Sequence, residues 1–151
     1  MHPIPELKIA FCSDHAGYEL KNQVIDYLKS LGLTDYKDFG AYSSASSDYP
    51  DFAHAMAAAI ESGEYRFGIS CCGSGNGINI TANRHAGVRS AICWLPEIAR
   101  LARAHNNANV LALPARFIAP DEARAIVDAF FTTNFEGGRH QRRIEKIEIT
   151  C

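Results

Sequence analysis

Short apolar runs alternate with stretches of helical periodicity along the whole chain, and no other feature restricts its fold as much. Lys8–Ser13 (KIAFCS) reads as a buried strand. Leu20, Val24, Leu28 and Leu31 then recur at helical spacing, and Gly32 ends that helix. Tyr36–Phe39 is a weaker strand that stops at Gly40, and a serine-rich loop covers Tyr42–Asp48. Pro50 opens an alanine-rich helix that reaches Gly63. The spacing predicts further strands at Phe67–Cys72, Val88–Trp94 and Asn109–Leu113, with helices over Ile78–Asn83 and Pro96–Ala104. Pro120, Asp121 and Glu122 start another helix, whose buried face is Ile126, Val127, Phe130 and Phe131. The tail, Glu136–Ile149, is basic first and amphipathic after.

Repeated strand–helix alternation predicts an α/β fold: five parallel strands covered by helices on both faces. There is no internal repeat and no linker. Residues 1–151 are therefore read as a single domain, with about 136–151 as a helical tail. In such folds ligands sit outside the carboxyl ends of the strands. That rule points to Ser13–Gly17, Tyr42–Pro50, Cys72–Gly77, His105–Asn107 and the residues just after Leu113.

Composition excludes several classes. With 47% hydrophobic and 21% charged residues the chain is globular, not disordered. A net charge of -2 argues against a general nucleic-acid binder, which needs a basic surface to displace counterions. No apolar run approaches the ~20 residues that span a bilayer, and MHPIPELK lacks the regions of a signal peptide. The five cysteines, Cys12, Cys71, Cys72, Cys93 and Cys151, are odd in number and form no C-x-x-C. Free thiols in a reducing cytoplasm are the simplest expectation.

Four segments carry chemistry. SDHAG (Ser13–Gly17) follows a strand and opens a helix; Asp14 there is either a cap or a reactive carboxylate, and His15 either a surface residue or a ligand contact. CCGSGNG (Cys71–Gly77) has three glycines, Gly73, Gly75 and Gly77, that let backbone N–H groups approach an anion. It is neither a P-loop nor the dinucleotide fingerprint. A thiol at its mouth is either reactive or a buried, inert cysteine. HNNAN (His105–Asn109) places a proton-moving imidazole before two asparagines. Arg116, and then Arg139, His140, Arg142 and Arg143, offer guanidinium groups suited to a phosphate, with a solvated basic face as the plainer reading.

Taken together, SDHAGYELK (Ser13–Lys21), SDYPD (Ser47–Asp51), CCGSGNG with INITANR (Cys71–Arg84), GVR (Gly87–Arg89), ARAHNNANVLAL (Ala102–Leu113) and FEGGRHQRRIEKI (Phe135–Ile147) resemble the type B ribose-5-phosphate isomerases and galactose-6-phosphate isomerase subunits. The segments occur in family order over nearly the whole chain. The resemblance implies a Rossmann-like α/β/α sandwich and a homodimer, possibly pairing into a tetramer, with active sites at the subunit interface. It implies no metal and no organic cofactor, and a phosphosugar substrate, foremost ribose 5-phosphate. It also implies roles for single residues. Cys72 would be the base that removes the proton beside the carbonyl, and Asp14 would move protons between the oxygens. His105 would open the furanose ring, with Tyr49 lining that site. Ser74, Gly73 and the N–H groups of Gly75, Asn76 and Gly77 would hold the enediolate oxygen. His15, Arg116, Arg139 and Arg143 would grip the phosphate, Asn106 a sugar hydroxyl, and the tail would serve dimerisation and phosphate binding.

Some relatives carry a Glu directly after GSGNG in place of the cysteine base; here that position is Ile78, which indicates the cysteine subtype. Side chains alternate along a strand, so Cys71 and Cys72 are expected to face opposite ways. Asn107, Pro114, Trp94 and Leu95 depart from the usual pattern of Asp, Gly and more polar residues, and leave the exact sugar open. Galactose 6-phosphate, allose 6-phosphate or a tetrose 4-phosphate would use the same chemistry. A non-catalytic phosphosugar-binding module and a Cys71–Cys72 redox protein are the rival classes.

Overall fold

A computed structural model describes residues 2–149. The strands are β1 (Lys8–Ser13), β2 (Asp35–Asp38), β3 (Phe67–Cys72), β4 (Ser90–Ile92) and β5 (Val110–Pro114). The helices are α1 (Tyr18–Ser30), α2 (Tyr49–Glu61), α3 (Asn76–Ala82), α4 (Pro96–Asn106), α5 (Pro120–Thr132) and α6 (Arg139–Ile144). All strand pairs are parallel, in the order β2-β1-β3-β5-β4. This is the predicted α/β architecture with its five-stranded sheet.

Strand alternation builds two cores. Ile9, Phe11, Phe67, Ile69, Cys71, Leu111 and Leu113 face one layer, where Leu20, Val24 and Leu28 of α1, Ala99 and Ala102 of α4, and Ile126, Val127 and Phe130 of α5 cover them. Ala10, Cys12, Cys72, Val110 and Ala112 face the other, under Ala53, Met56 and Ala57 of α2 and Ile78 and Ala82 of α3. Burial on both faces is why β1, β3 and β5 read as continuous apolar runs. Cys71 and Cys72 do point into opposite layers, as their adjacency requires.

Element ends follow local chemistry. Gly32 takes φ 102°, and Leu33 donates its N–H back to Leu28 O at 3.0 Å, closing α1 in a left-handed turn. At α5 the Glu122 carboxylate accepts the Ala119 N–H at 3.1 Å. Two expectations are shortened. The fourth strand is only Ser90–Ile92, because Arg89 and Ser90 bond to Asn109 and Asn83 side chains before regular pairing begins. The tail forms a helix only over Arg139–Ile144, with turns and irregular chain on either side, and residues 150–151, including Cys151, lie outside the described residues. Among the described residues no helix is long and apolar enough to cross a membrane.

Candidate active site

β1 and β3 are neighbours although β2 separates them in sequence, and the carboxyl ends of strands at such a reversal of strand order are where open α/β folds bind ligands. Ser13 pairs with Cys71. The next residues, Asp14 and Cys72, therefore come side by side on strands about 4.8 Å apart. Both are almost buried, at 7% and 4% exposure. Asp14 donates its N–H to Cys71 O at 3.3 Å, and its carboxylate accepts the Gly17 N–H at 3.0 Å. The N-cap of α1 is Gly17 itself, so Asp14 is not the cap; its carboxylate instead holds the turn that leads into α1. Gly17 has no alternative: a Cβ there would lie 2.1 Å from Cys71 O, so only glycine lets α1 dock on β3.

The other carboxyl-end loops converge here. His15 donates its backbone N–H to Ser47 Oγ at 3.1 Å, and its Nδ1 accepts the Ser47 N–H at 3.2 Å. With Nδ1 an acceptor, the ring proton of neutral His15 sits on Nε2. Gly75 adopts φ 80° at the start of α3, and Ser74 Oγ accepts the Asn76 N–H at 3.2 Å. The Tyr49 ring lies so close that a Cβ on Gly77 would be 2.4 Å from its Cζ. Arg116 donates its N–H to Gly73 O at 3.0 Å and lays its side chain over that glycine. Cys72, Asp14, His15, Ser74, Gly73, Gly75, Asn76, Gly77, Tyr49 and Arg116 are therefore one group. Ser74 and Asn76 also line a pocket of ≈ 540 Å³ whose rim carries the exposed Trp94, Leu95 and Phe117.

Burial sorts the thiols. It raises Cys12 well above the usual range, and it raises Cys71 strongly, against the opposing pull of the Lys21 charge. Cys93 is pushed up to about 12 by burial. These three are held protonated near neutral pH. Cys72 is the cysteine that directly precedes the glycine loop.

His105 and Asn106 are not at this edge, which corrects the sequence expectation. They end α4 and precede β5, and a helix-to-strand connection in a parallel sheet returns to the amino ends. Gly68 donates its N–H to Asn109 O at 2.9 Å. Gly68 is four residues before Cys72, about 13 Å along the strand. Tyr49 is correspondingly separated from His105, the pair that was expected to share one site. α6 packs on α4, so Arg139 and Arg143 belong with His105 and Asn106. Both arginines are exposed on one short helix, as their spacing predicts. Asn106 lines a second cavity of ≈ 620 Å³ together with Arg84, His85 and Arg89.

Three residues escaped the sequence reading. Lys21 is fully buried, and its Nζ donates to Asp38 Oδ1 at 2.8 Å and to Ala41 O. Asp38 also accepts the Gly40 N–H, and Ser13 and Ala41 bond each other, so Lys21 pins the loop beside Asp14. Arg103 is 3% exposed and stacks on Phe67 and Phe130, with no carboxylate partner among the described residues; it donates to Asn107 Oδ1 and Ala108 O. Glu136 stands beside both His105 and His140.

Residues 9–147 match the family model described as Ribose/Galactose Isomerase. The chain belongs to this family. It is 44% identical over 140 residues to ribose-5-phosphate isomerase B of Escherichia coli, a match covering 93% of each chain. A crystal structure of a ribose 5-phosphate isomerase from Thermotoga maritima superimposes with a TM-score of 0.91 at 52% identity, covering 94% of this chain and 97% of that one. Ribose-5-phosphate isomerase B from Mycoplasma genitalium, solved with bound ribulose-5-phosphate, gives 0.89 at 43% identity, covering 94% of each chain.

Proposed function

We propose that the chain interconverts ribose 5-phosphate and ribulose 5-phosphate, as a cytoplasmic enzyme whose working unit is a homodimer. The observation that carries the substrate is the full-length likeness to an isomerase that holds ribulose-5-phosphate. The arrangement of side chains supports the chemistry. A proton alpha to a carbonyl is weakly acidic, so its removal needs a base and donors for the oxyanion together. Cys72 is the base that takes the proton from C2 and returns it to C1, and Asp14 moves a proton between the C2 oxygen and the C1 oxygen. The N–H groups of the Gly73–Gly77 loop and the Ser74 hydroxyl face the enediolate oxygen. Preorganised donors of this kind are worth about 3–4 kcal/mol each.

The division of the candidate residues between two edges supports the dimer. One group, with Cys72, lies at the carboxyl edge, and the other, with His105, Asn106, Arg139 and Arg143, lies at the amino edge. A single phosphosugar reaches both only if a second copy brings its amino edge to the first copy's carboxyl edge. His15 and Arg116 then hold the phosphate from one side, and Arg139 and Arg143 from the other. Two-fold pairing makes two equal sites per dimer. The exposed Trp94, Leu95 and Phe117 beside Ser74 supply apolar surface for that contact.

The test compares turnover of ribose 5-phosphate with galactose 6-phosphate, allose 6-phosphate and a tetrose 4-phosphate. The proposal expects the highest kcat/KM on the pentose. A higher value on a hexose or tetrose phosphate would move the substrate while keeping the reaction, and binding without turnover on all four would contradict the reaction itself.

A further inference from the structure

Glu136 and His140 have no task in the reaction as assigned, yet they enclose His105. The His105 and His140 rings stack with centroids 4.2 Å apart and planes 9° from parallel. Glu136 Oε2 lies 3.6 Å from His105 Nε2 and 3.5 Å from His140 Nε2. His140 is nearly buried, whereas His105 is half-exposed and free to meet a ligand. The cluster is built from chain features outside the active loops. Glu136 donates its N–H to Ala104 O at 3.0 Å, and Gly137 and Gly138, at φ 69° and 57°, turn the chain so that α6 returns against α4.

Two imidazoles and a carboxylate are also a donor set for a transition metal. The stacking speaks for another use. Nitrogen lone pairs lie in their ring planes, and in parallel rings they run side by side instead of converging on one ion. Burial, followed by the His105 and Arg139 charges, lowers His140 below the ordinary range and keeps it neutral near pH 7. A neutral stacked ring restrains its neighbour without competing for the charge that the neighbour gains.

We infer that Glu136 and His140 are positioning residues for His105, His140 fixing the plane of its ring and the Glu136 charge favouring the proton on Nε2, so that Nδ1 meets the sugar. This rests on the ring-opening reading of His105. The proton on the anomeric oxygen O1 passes to Nδ1, the O1 lone pair forms the C1 carbonyl, and the C1–O4 bond breaks. O4 then takes a proton from Nδ1. Nothing is oxidised, and Glu136 stabilises the imidazolium while it lasts. All three residues lie on one chain, so the unit reaches a partner's sugar intact.

The substrate pair offers a clean separation. Ribose 5-phosphate closes a furanose ring through O4. Ribulose 5-phosphate has its carbonyl at C2 and its O5 phosphorylated, so it cannot close a five-membered ring. Exchange of its C1 hydrogen with solvent needs the proton-transfer group around Cys72 but no ring opening. The experiment measures kcat and KM for ribose 5-phosphate, and deuterium uptake at C1 of ribulose 5-phosphate in heavy water, for wild type, Glu136→Gln, His140→Ala and His105→Ala. Glu136→Gln and His140→Ala should each lower kcat about tenfold with little change in KM, and leave deuterium uptake within about twofold of wild type. Undiminished kcat in both variants, or an equal loss of kcat and uptake, would overturn the inference. The uptake itself shows that each variant is folded. An equal loss of kcat and uptake in His105→Ala would instead overturn the ring-opening reading on which the inference rests.

Discussion

At the scale of single residues, adjacency along a strand decides which layer each side chain enters. Cys71 and Cys72 are neighbours in sequence and strangers in space, because each faces its own core layer. Cys71→Ser should therefore keep isomerase activity within about threefold while lowering stability by roughly 1–3 kcal/mol, since it sets a hydroxyl among apolar side chains. Parallel kinetics and thermal melts check both halves. Lys21 is the clearest residue that sequence reasoning passed over. It ends the SDHAGYELK segment, and its partner Asp38 lies 17 residues away in sequence. Lys21→Met leaves Asp38 without its cation, and the expected loss is about 2–4 kcal/mol, at the low side because Asp38 is partly exposed. Denaturant midpoints measure it, and an unchanged midpoint would mean that solvent replaces the lysine.

Elements carry the next level. The strands β1, β3 and β5 were legible because burial on both faces leaves unbroken apolar runs. The edge strands were less so, since β2 (Asp35–Asp38) alternates exposed and half-buried residues and β4 is three residues long. The motifs at the loops were legible, but not the placement of their residues. His105 was assigned to the carboxyl edge because the strand rule was applied to a segment that precedes a strand. Direction along α4, and not composition, places it at the other end. Gly17→Ala tests the docking of α1 on β3. A methyl group 2.1 Å from a carbonyl oxygen forces the elements apart, and overpacking of that kind costs about 1–3 kcal/mol, or roughly 3–10 °C in Tm. Activity should fall with it, because Asp14 is held by the Gly17 N–H. At the opposite end, Arg103 donates to His2 Nε2 at 3.0 Å, and burial followed by the Arg103 and Arg66 charges holds His2 down to about 4. Protonating His2 is thus harder in the folded chain than in the unfolded one. Its contribution to stability is complete above pH 6.5, declines as pH falls towards 4, and changes no further below that. His2→Gln keeps an acceptor for Arg103 and should make the acid loss of Tm shallower between those limits.

The whole molecule is where the division of the site matters. Within one chain the sheet holds the two groups at opposite ends, and no side-chain motion joins them. If each site draws Cys72 from one copy and His105 from another, two inactive variants should rescue each other. Cys72→Ala mixed with His105→Ala, after unfolding and refolding together, forms hybrids with one intact site. Random pairing restores about a quarter of the wild-type activity. No recovery in a mixture shown to contain hybrids would mean that His105 of one copy does not serve the Cys72 site of another. The motifs place candidate residues in the chain but not at an edge of the sheet, and the exposed Trp94, Leu95 and Phe117 carry no motif that sequence reasoning could have used.

The central claim, that Cys72 is the base of an aldose–ketose phosphate isomerase, is met most directly by one comparison. Ribulose 5-phosphate formation from ribose 5-phosphate is followed for the wild type and for Cys72→Ala at matched concentration. The account predicts turnover by the wild type and a loss of about 10²–10⁴-fold in kcat for the variant, with phosphosugar binding retained. Turnover by Cys72→Ala at a rate close to wild type would contradict it and move the base to another residue.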